Sequence, residues 1–190
     1  MRWRLSWRAD PQGRVIADRH YNRQKIGADQ FVPPGRCLVL TIPGEALWVT
    51  SWPFPEYVKH AWGGAWVNSL FRNERRDLHL SSDLIREAVA ATRWSLVDGD
   101  WRFQKEPEAG MVTFIDESKT KRKRDPGRCY ARAGFDQLHE YDVDSGRFVP
   151  IRTKSDDLLV FAMSTGDMPD PEPPLGANLS LFDEVRVVAP

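Results

Sequence analysis

The chain reads as an α/β or α+β domain: a mixed sheet flanked by helices. Three features predict this. Two β-rich apolar runs, Cys37–Ile42 and Ala46–Ser51, are separated by Pro43-Gly44, the signature of a hairpin. The segment Leu80–Trp94 carries Leu80, Leu84, Ile85, Ala88 and Val89 at the spacing that lines one helix face. After Trp66, strand-like and helix-like segments alternate across short loops, as they do in domains built on one sheet.

Taken in order, residues 1–30 are polar and arginine-rich, with a short strand expected at Val15–Ile16. The Phe31-Val-Pro-Pro-Gly35 segment is a turn signal before the hairpin. Residues 52–64 hold two prolines, a Gly-Gly pair and large aromatics, and read as an irregular loop. Trp66–Arg72 is expected as a strand. In the Leu80 helix, Ser81 or Ser82 is expected as the N-cap, Asp83 suits the positive end of the helix dipole and Arg93 the negative end. Met111–Ile115 is a short strand after Gly110. Gly127–Ala133 is a short helix stopped by Gly134. Gln137–Tyr141 and Leu158–Ala162 are the last strands. Residues 1–165 thus form the expected domain. Residues 166–176, proline-rich and acidic, read as a linker, and 177–190 as a tail.

Composition narrows the function classes. Hydrophobic residues make up 41% and charged residues 28%, which supports a packed core. Lys plus Arg number 27 and Asp plus Glu 27, so net charge does not argue for nucleic acid, but the basic residues cluster near the N-terminus and from Lys119 to Arg128. The eight tryptophans read first as core anchors, with stacking surfaces as the functional alternative. Two cysteines, Cys37 and Cys129, form neither a disulfide framework nor a metal spacing. No apolar run approaches the ~20 residues of a membrane span, and no secretory signal is recognisable, so a cytoplasmic protein without membrane contact is expected.

The chemistry is expected where a strand runs through Phe71–Ser82 into the helix. The first turn of a helix has unpartnered N–H groups, and its dipole favours an anion. Further on, Tyr130-Ala-Arg-Ala-Gly-Phe135 resembles the Y-x-x-x-G-F ending of GNAT N-acetyltransferases, and the element order is similar to theirs. That resemblance implies a mixed, mostly antiparallel central sheet flanked by helices. It also implies acetyl-CoA or a related acyl donor, lying in a splay between two parallel strands with its pyrophosphate at the first helix's N-terminus. The family's pyrophosphate loop, Q/R-x-x-G-x-G/A, aligns with Arg76-Asp-Leu-His79-Leu-Ser81, which keeps the cation and lacks both glycines. Arg76, Ser81 and Ser82 are then the cofactor-binding candidates.

Four short motifs in order resemble a narrower branch, the phage Mom-type DNA modification proteins. They are Arg19-His20-Tyr21, the Ser-led helix at Ser81-Ser82, a strand ending in Asp116, and the Gly127-Arg-Cys-Tyr130 turn, together spanning residues 19–163. This resemblance implies modification of the adenine N6 amine in DNA, in a phage or mobile-element setting. The Ala133-Gly-Phe135 ending is closer to ordinary GNAT enzymes. Tyr130 is carried over as the acid for a leaving thiolate. Asp116 sits at a strand end, a usual place for site residues, with loop capping as its structural alternative. His20 and Tyr21 could supply a base or, with Asp116, metal ligands. No zinc spacing exists, and no metal is expected.

Between Asp116 and Tyr130 run Lys119, Lys121, Arg122, Lys123 and Arg124, cations suited to phosphates of DNA or of a cofactor. A base in duplex DNA must leave the stack to be modified, and the aromatic stretch Trp48–Trp66 could supply a stacking wall. The tail segment Asn178-Leu179-Ser-Leu181-Phe182 resembles the peptide by which bacterial DNA-handling proteins dock on the sliding clamp, with Asn in place of its leading Gln. Three functions follow as expectations: a Mom-like DNA modification enzyme, an acetyl-CoA-dependent N-acetyltransferase of a small amine or protein, and a non-catalytic GNAT-like adaptor.

Overall fold

The computed structural model describes residues 1–53, 58, 61–98, 106–120 and 125–177. Its centre is a seven-stranded mixed sheet. In chain order the elements are β1 (Arg4–Ser6), α1 (Pro11–Ala17), β2 (Cys37–Ile42), β3 (Ala46–Ser51), β4 (Trp66–Asn73), α2 (Ser81–Arg93), β5 (Met111–Ile115), α3 (Arg128–Ala133), β6 (Asp136–Gln137), β7 (His139–Asp142), β8 (Arg147–Pro150) and β9 (Leu159–Met163). The strand order is β1-β2-β3-β4-β5-β9-β6, with β7 and β8 in a separate hairpin. Among the described strands, β4 and β5 are the one parallel pair; the other neighbouring pairs are antiparallel. The fold is α+β, as the patterning predicts.

Both faces of the sheet are covered, which explains the unbroken apolar runs of β2 and β3. Leu38, Leu40 and Trp48 point to one face, where α2 lays down Leu84, Ile85, Ala88 and Val89. Val39, Leu47 and Val49 point to the other, against Ile16 and Ala17 of α1 and Phe31. The two-residue alternation of each strand therefore feeds two separate cores. Trp3, Trp48 and Trp66 are buried, so the core-anchor reading of the tryptophans holds for these three, and Trp48 and Trp66 cannot line a stacking wall.

Several expectations need correction. Val15–Ile16 is not a strand but the end of α1: Asp10 caps the helix by accepting from Gln12 N at 3.0 Å, and Pro11 occupies its first turn. Neither Ser81 nor Ser82 caps α2. Leu80 holds the N-cap position and has no polar side chain to make a cap bond, while the Ser81 hydroxyl accepts from Asn73 Nδ2 at 3.2 Å. Gln137–Tyr141 is two strands: Leu138 N turns to Val160 O, leaving β6 in the main sheet and sending β7 into the hairpin. Residues 166–176 lie against the domain rather than spanning a gap. Met168 is buried, Glu172 N bonds Ala90 O, and Leu175 N bonds Trp3 O at 2.8 Å. The N-terminal amine pairs with Glu172.

Gly127 and Gly134 bracket α3 with φ of 81° and 102°. At Gly127 the requirement is also spatial, since a Cβ would come within 2.3 Å of the Phe161 ring. This close approach seats α3 against β9 and fixes where Tyr130 emerges.

Candidate functional site

The parallel strands share only three rungs: Trp66↔Met111, Val67↔Val112 and Asn68↔Thr113. Beyond Asn68 and Thr113 both chains run on, β4 to Asn73 and β5 to Ile115, without pairing. The parting opens a cleft of ≈ 890 Å³. Its floor is apolar and aromatic, with Leu70, Phe71, Phe114, Ile115 and Tyr130; Ser81 and Ser82 stand on one wall and His20 and Tyr21 on another.

Asn68 is buried at the fork. Its Nδ2 donates to Val49 O at 3.1 Å and to Leu70 O at 3.0 Å, and its Oδ1 accepts from the Tyr130 hydroxyl at 2.5 Å. Thr113 Oγ1 donates to Asn68 O at 3.1 Å. The register against β3 jumps here, Thr50 facing Asn68 and Val49 facing Leu70, so Ser69 is the extra residue of a bulge. The Asn68 amide therefore spans the bulge and ties both strands to α3. Tyr130 is almost fully buried, and burial raises its phenol well above the ordinary value, so it stays protonated.

The N-terminal motif is brought to the cleft by a loop after α1. Arg23, nearly buried, holds that loop with bonds to Asp18 Oδ1 at 2.7 Å, Ala28 O at 2.8 Å and Gln30 O at 3.0 Å. Its tip rests on β4, where Arg72 donates to Arg19 O at 2.6 Å and Asn22 Nδ2 to Ser69 O at 3.5 Å. His20 stacks on Tyr21 with ring centroids 4.5 Å apart. Burial, then the Arg72 charge, lowers the His20 pKa to about 4, so the ring is neutral near pH 7. Its Nδ1 faces Asn22 N–H at 3.2 Å. In the neutral ring that leaves the proton on Nε2, a donor rather than a base. Tyr21 is 45% exposed at the cleft, and partial desolvation raises its phenol.

Asp116 does not line the cleft. It caps the 3₁₀ turn Glu117–Lys119, accepting from Ser118 N at 2.9 Å and from the Ser118 hydroxyl, and these bonds hold its carboxyl below the usual range. The carboxylates that do line the cleft are engaged. Glu74 pairs with Arg72 at 2.6 Å and Arg19 at 3.6 Å, chiefly through Arg72 lowering its pKa, and Asp125 pairs with Arg128 at 3.6 Å.

At the α2 end, Asn73 organises the approach. Its Nδ2 donates to His79 O and Ser81 Oγ, and its Oδ1 accepts from Arg75 N. His79 stands where the sequence motif has a glycine, and its ring bonds to Glu45 at 2.7 Å and Arg2 at 3.3 Å. Arg2 in turn forks onto Glu87. The first turn of α2 keeps its Ser81 and Ser82 N–H groups without partners among the described residues. The Ser81 hydroxyl accepts from Asn73 and so retains its own proton to donate. Arg76 is exposed on the cleft, its guanidinium without a hydrogen bond or ion pair among the described residues. Two N–H groups, a hydroxyl and a free guanidinium form a donor set that fits a phosphate. Among the described residues no group of three or more His, Cys, Asp or Glu is arranged to hold a metal.

The structure thus gathers Tyr130, His20, Tyr21, Arg76, Ser81, Ser82 and Lys119 at one cleft and leaves Asp116 beside it. Lys121, Arg122, Lys123 and Arg124 lie outside the described residues, as do Leu179, Leu181 and Phe182. Sequence reading missed Asn68, Asn73, Arg72 and Arg132. Asn68 carried a signal, a polar amide inside the apolar run Trp66–Leu70. No helix among the described residues is long and apolar enough to cross a membrane. Comparisons with protein-family models, with curated proteins and with solved structures gave no match.

Proposed function

We propose that this protein is a GNAT-like transferase that modifies a nucleobase amine in DNA, the adenine N6 amine by resemblance to the Mom-type proteins. The observation that carries the reading is the parting of β4 and β5 beyond Asn68 and Thr113, with the open N-terminus of α2 at the same cleft. This is the arrangement the GNAT resemblance implies for an acyl-CoA donor, and the strand order with a single parallel pair agrees with it. Such a donor, when bound, would supply the activated acyl group. Arg76, Ser81 and Ser82 would hold its phosphates.

The residues of the chain then position and exclude. Phe71, Phe114 and Ile115 give the cleft an apolar lining. The buried Tyr130 phenol, with its raised pKa, stays protonated and donates its one O–H to Asn68, so it fixes the fork of the cleft rather than acting as an acid for a thiolate. His20 offers Nε2–H to an acceptor atom of the substrate. The engaged carboxylates favour a nucleobase as acceptor. An aliphatic amine, with a pKa near that of lysine at ~10.4, is protonated at neutral pH and needs a base before it can attack. An exocyclic nucleobase amine is already uncharged, so it needs no deprotonation before attack, and the proton it loses as the N–C bond forms would leave with the sulfur of the departing thiol.

A second reading, an acetyl-CoA-dependent N-acetyltransferase of a small amine or protein, is supported by the Tyr130–Phe135 ending, whose rings pack edge to face at 5.4 Å. Mass spectrometry of nucleosides from DNA of expressing cells tests the choice. A modified adenine supports the first reading. Unchanged DNA together with a melting shift on acetyl-CoA supports the second. Unchanged DNA with no shift leaves a non-catalytic adaptor.

A further inference from the structure

The surface where α2 meets α3 collects arginines. Arg128 and Arg132 are four apart on α3, hence on one side of it, and both line the cleft beside Arg76. Arg86 lies four residues after Ser82 on α2, and its guanidinium reaches the C-terminal end of α3, 3.7 Å from where a Gly134 Cβ would stand. The guanidiniums of Arg76, Arg86 and Arg132 make no hydrogen bond or ion pair among the described residues. Arg128 has only a long, half-exposed contact to Asp125 at 3.6 Å. The neighbouring acids of α2 face elsewhere. Glu87 is held by Arg2, and the Asp83 charge is felt at Arg2.

Free guanidiniums need an explanation in a chain whose formal charge is balanced. Most other described arginines near the cleft are spoken for: Arg2 by Glu87, Arg72 by Glu74, Arg75 by Asp77. Arg128 and Arg132 on α3 instead line the cleft, and Arg86 on α2 reaches the C-terminal end of α3. Of the two described acids that line the cleft, Glu74 is held by Arg72 and Arg19, and Asp125 lies 3.6 Å from Arg128. Exposed arginines of which Arg86 and Arg132 have no acidic partner among the described residues, and Arg128 only the long contact to Asp125, are a footprint for phosphates, since guanidinium forks match phosphate oxygens.

We propose that Arg86, Arg128 and Arg132 form a track for the phosphodiester backbone of the DNA strand whose base enters the cleft, beside the donor-phosphate seat at Arg76. This rests on the DNA reading and adds to it. It assigns strand binding to Arg86 on α2 and Arg128 and Arg132 on α3, distinct from the Lys119–Arg124 run. The contacts are to backbone, so they position the strand without reading its sequence.

The test uses the full chain and a fluorescein-labelled single-stranded oligonucleotide of mixed sequence, followed by anisotropy across a salt series. The double variant Arg86→Gln/Arg132→Gln is expected to bind about tenfold more weakly. Its slope of log affinity against log salt should be shallower by about 1.4, the loss of two single-strand phosphate contacts. Arg147→Gln, on the β7–β8 hairpin, should match wild type. Both sites are exposed, and a thermal melt confirms that the double variant is folded. Wild-type affinity and slope in the double variant overturn the track. So does a wild-type chain that binds no oligonucleotide. Unchanged oligonucleotide binding with loss of the acetyl-CoA melting shift also overturns it, by assigning these cations to the donor. Track-dependent binding with unmodified cellular DNA would defeat the enzymatic reading alone.

Discussion

The Tyr130 hydroxyl donates to Asn68 Oδ1 at 2.5 Å, at the last rung that β4 and β5 share. One amide therefore joins the bulged strand β4, its antiparallel neighbour β3 and helix α3. Tyr130→Phe removes one buried bond and should cost about 1–2 kcal/mol. Asn68→Ala leaves Val49 O, Leu70 O and the Tyr130 hydroxyl without their partner and should cost about 2–4 kcal/mol. Urea denaturation of both single variants and the double variant measures the coupling. Additive costs would mean that the tie does not exist.

His20 gives a pH signature. Its folded pKa of about 4 lies below the unfolded value of 6.5. Between these values the unfolded chain binds more protons, so stability rises with pH through that window. The contribution is complete above pH 6.5 and is lost as pH falls toward 4. In His20→Asn the melting temperature should change less between pH 4 and 6.5 than in wild type. Equal slopes would contradict the desolvated neutral ring.

Arg23 holds the loop that carries His20 and Tyr21 onto the cleft. Arg23→Ala removes bonds to Asp18, Ala28 and Gln30 while leaving the sheet intact. Trypsin should cut at Arg19 or Lys25 about tenfold faster in this variant, through local opening. A cleavage rate equal to wild type would show that the loop is anchored elsewhere.

Gly127→Ala tests how α3 is seated. The added methyl meets the Phe161 ring and Ile115, at a residue with φ of 81°. A loss of about 2–4 kcal/mol is expected from strain and overpacking together. A melting temperature equal to wild type would mean that α3 can shift freely.

Local patterns carried much of the architecture. The hairpin Cys37–Ser51 and the apolar stripe of α2 declare themselves because burial on a regular lattice leaves a period in the sequence. Three-residue β1 and the two-stranded hairpin β7–β8 have too few buried positions to show one. Asp10-Pro11 was a readable helix start obscured by the β-branched Val15 and Ile16. Within the cleft, residues next to a chain landmark were legible: Tyr130 after Gly127, Ser81 at a helix start. Those acting across the chain were not. Nothing local to Asn68 announces a partner 62 residues away, and no spacing brings Arg86 to Gly134.

The claim that ties these elements together is that the cleft at the β4–β5 fork performs the modification. Its most direct test is nucleoside mass spectrometry of DNA from cells expressing either wild type or Arg76→Gln/Ser81→Ala. Both proteins should be folded, since Arg76 is exposed and Ser81 only half-buried. A mass-shifted adenine nucleoside should appear with wild type and fall at least tenfold with the variant. Unmodified nucleosides with wild type, or full modification with the folded variant, would contradict it.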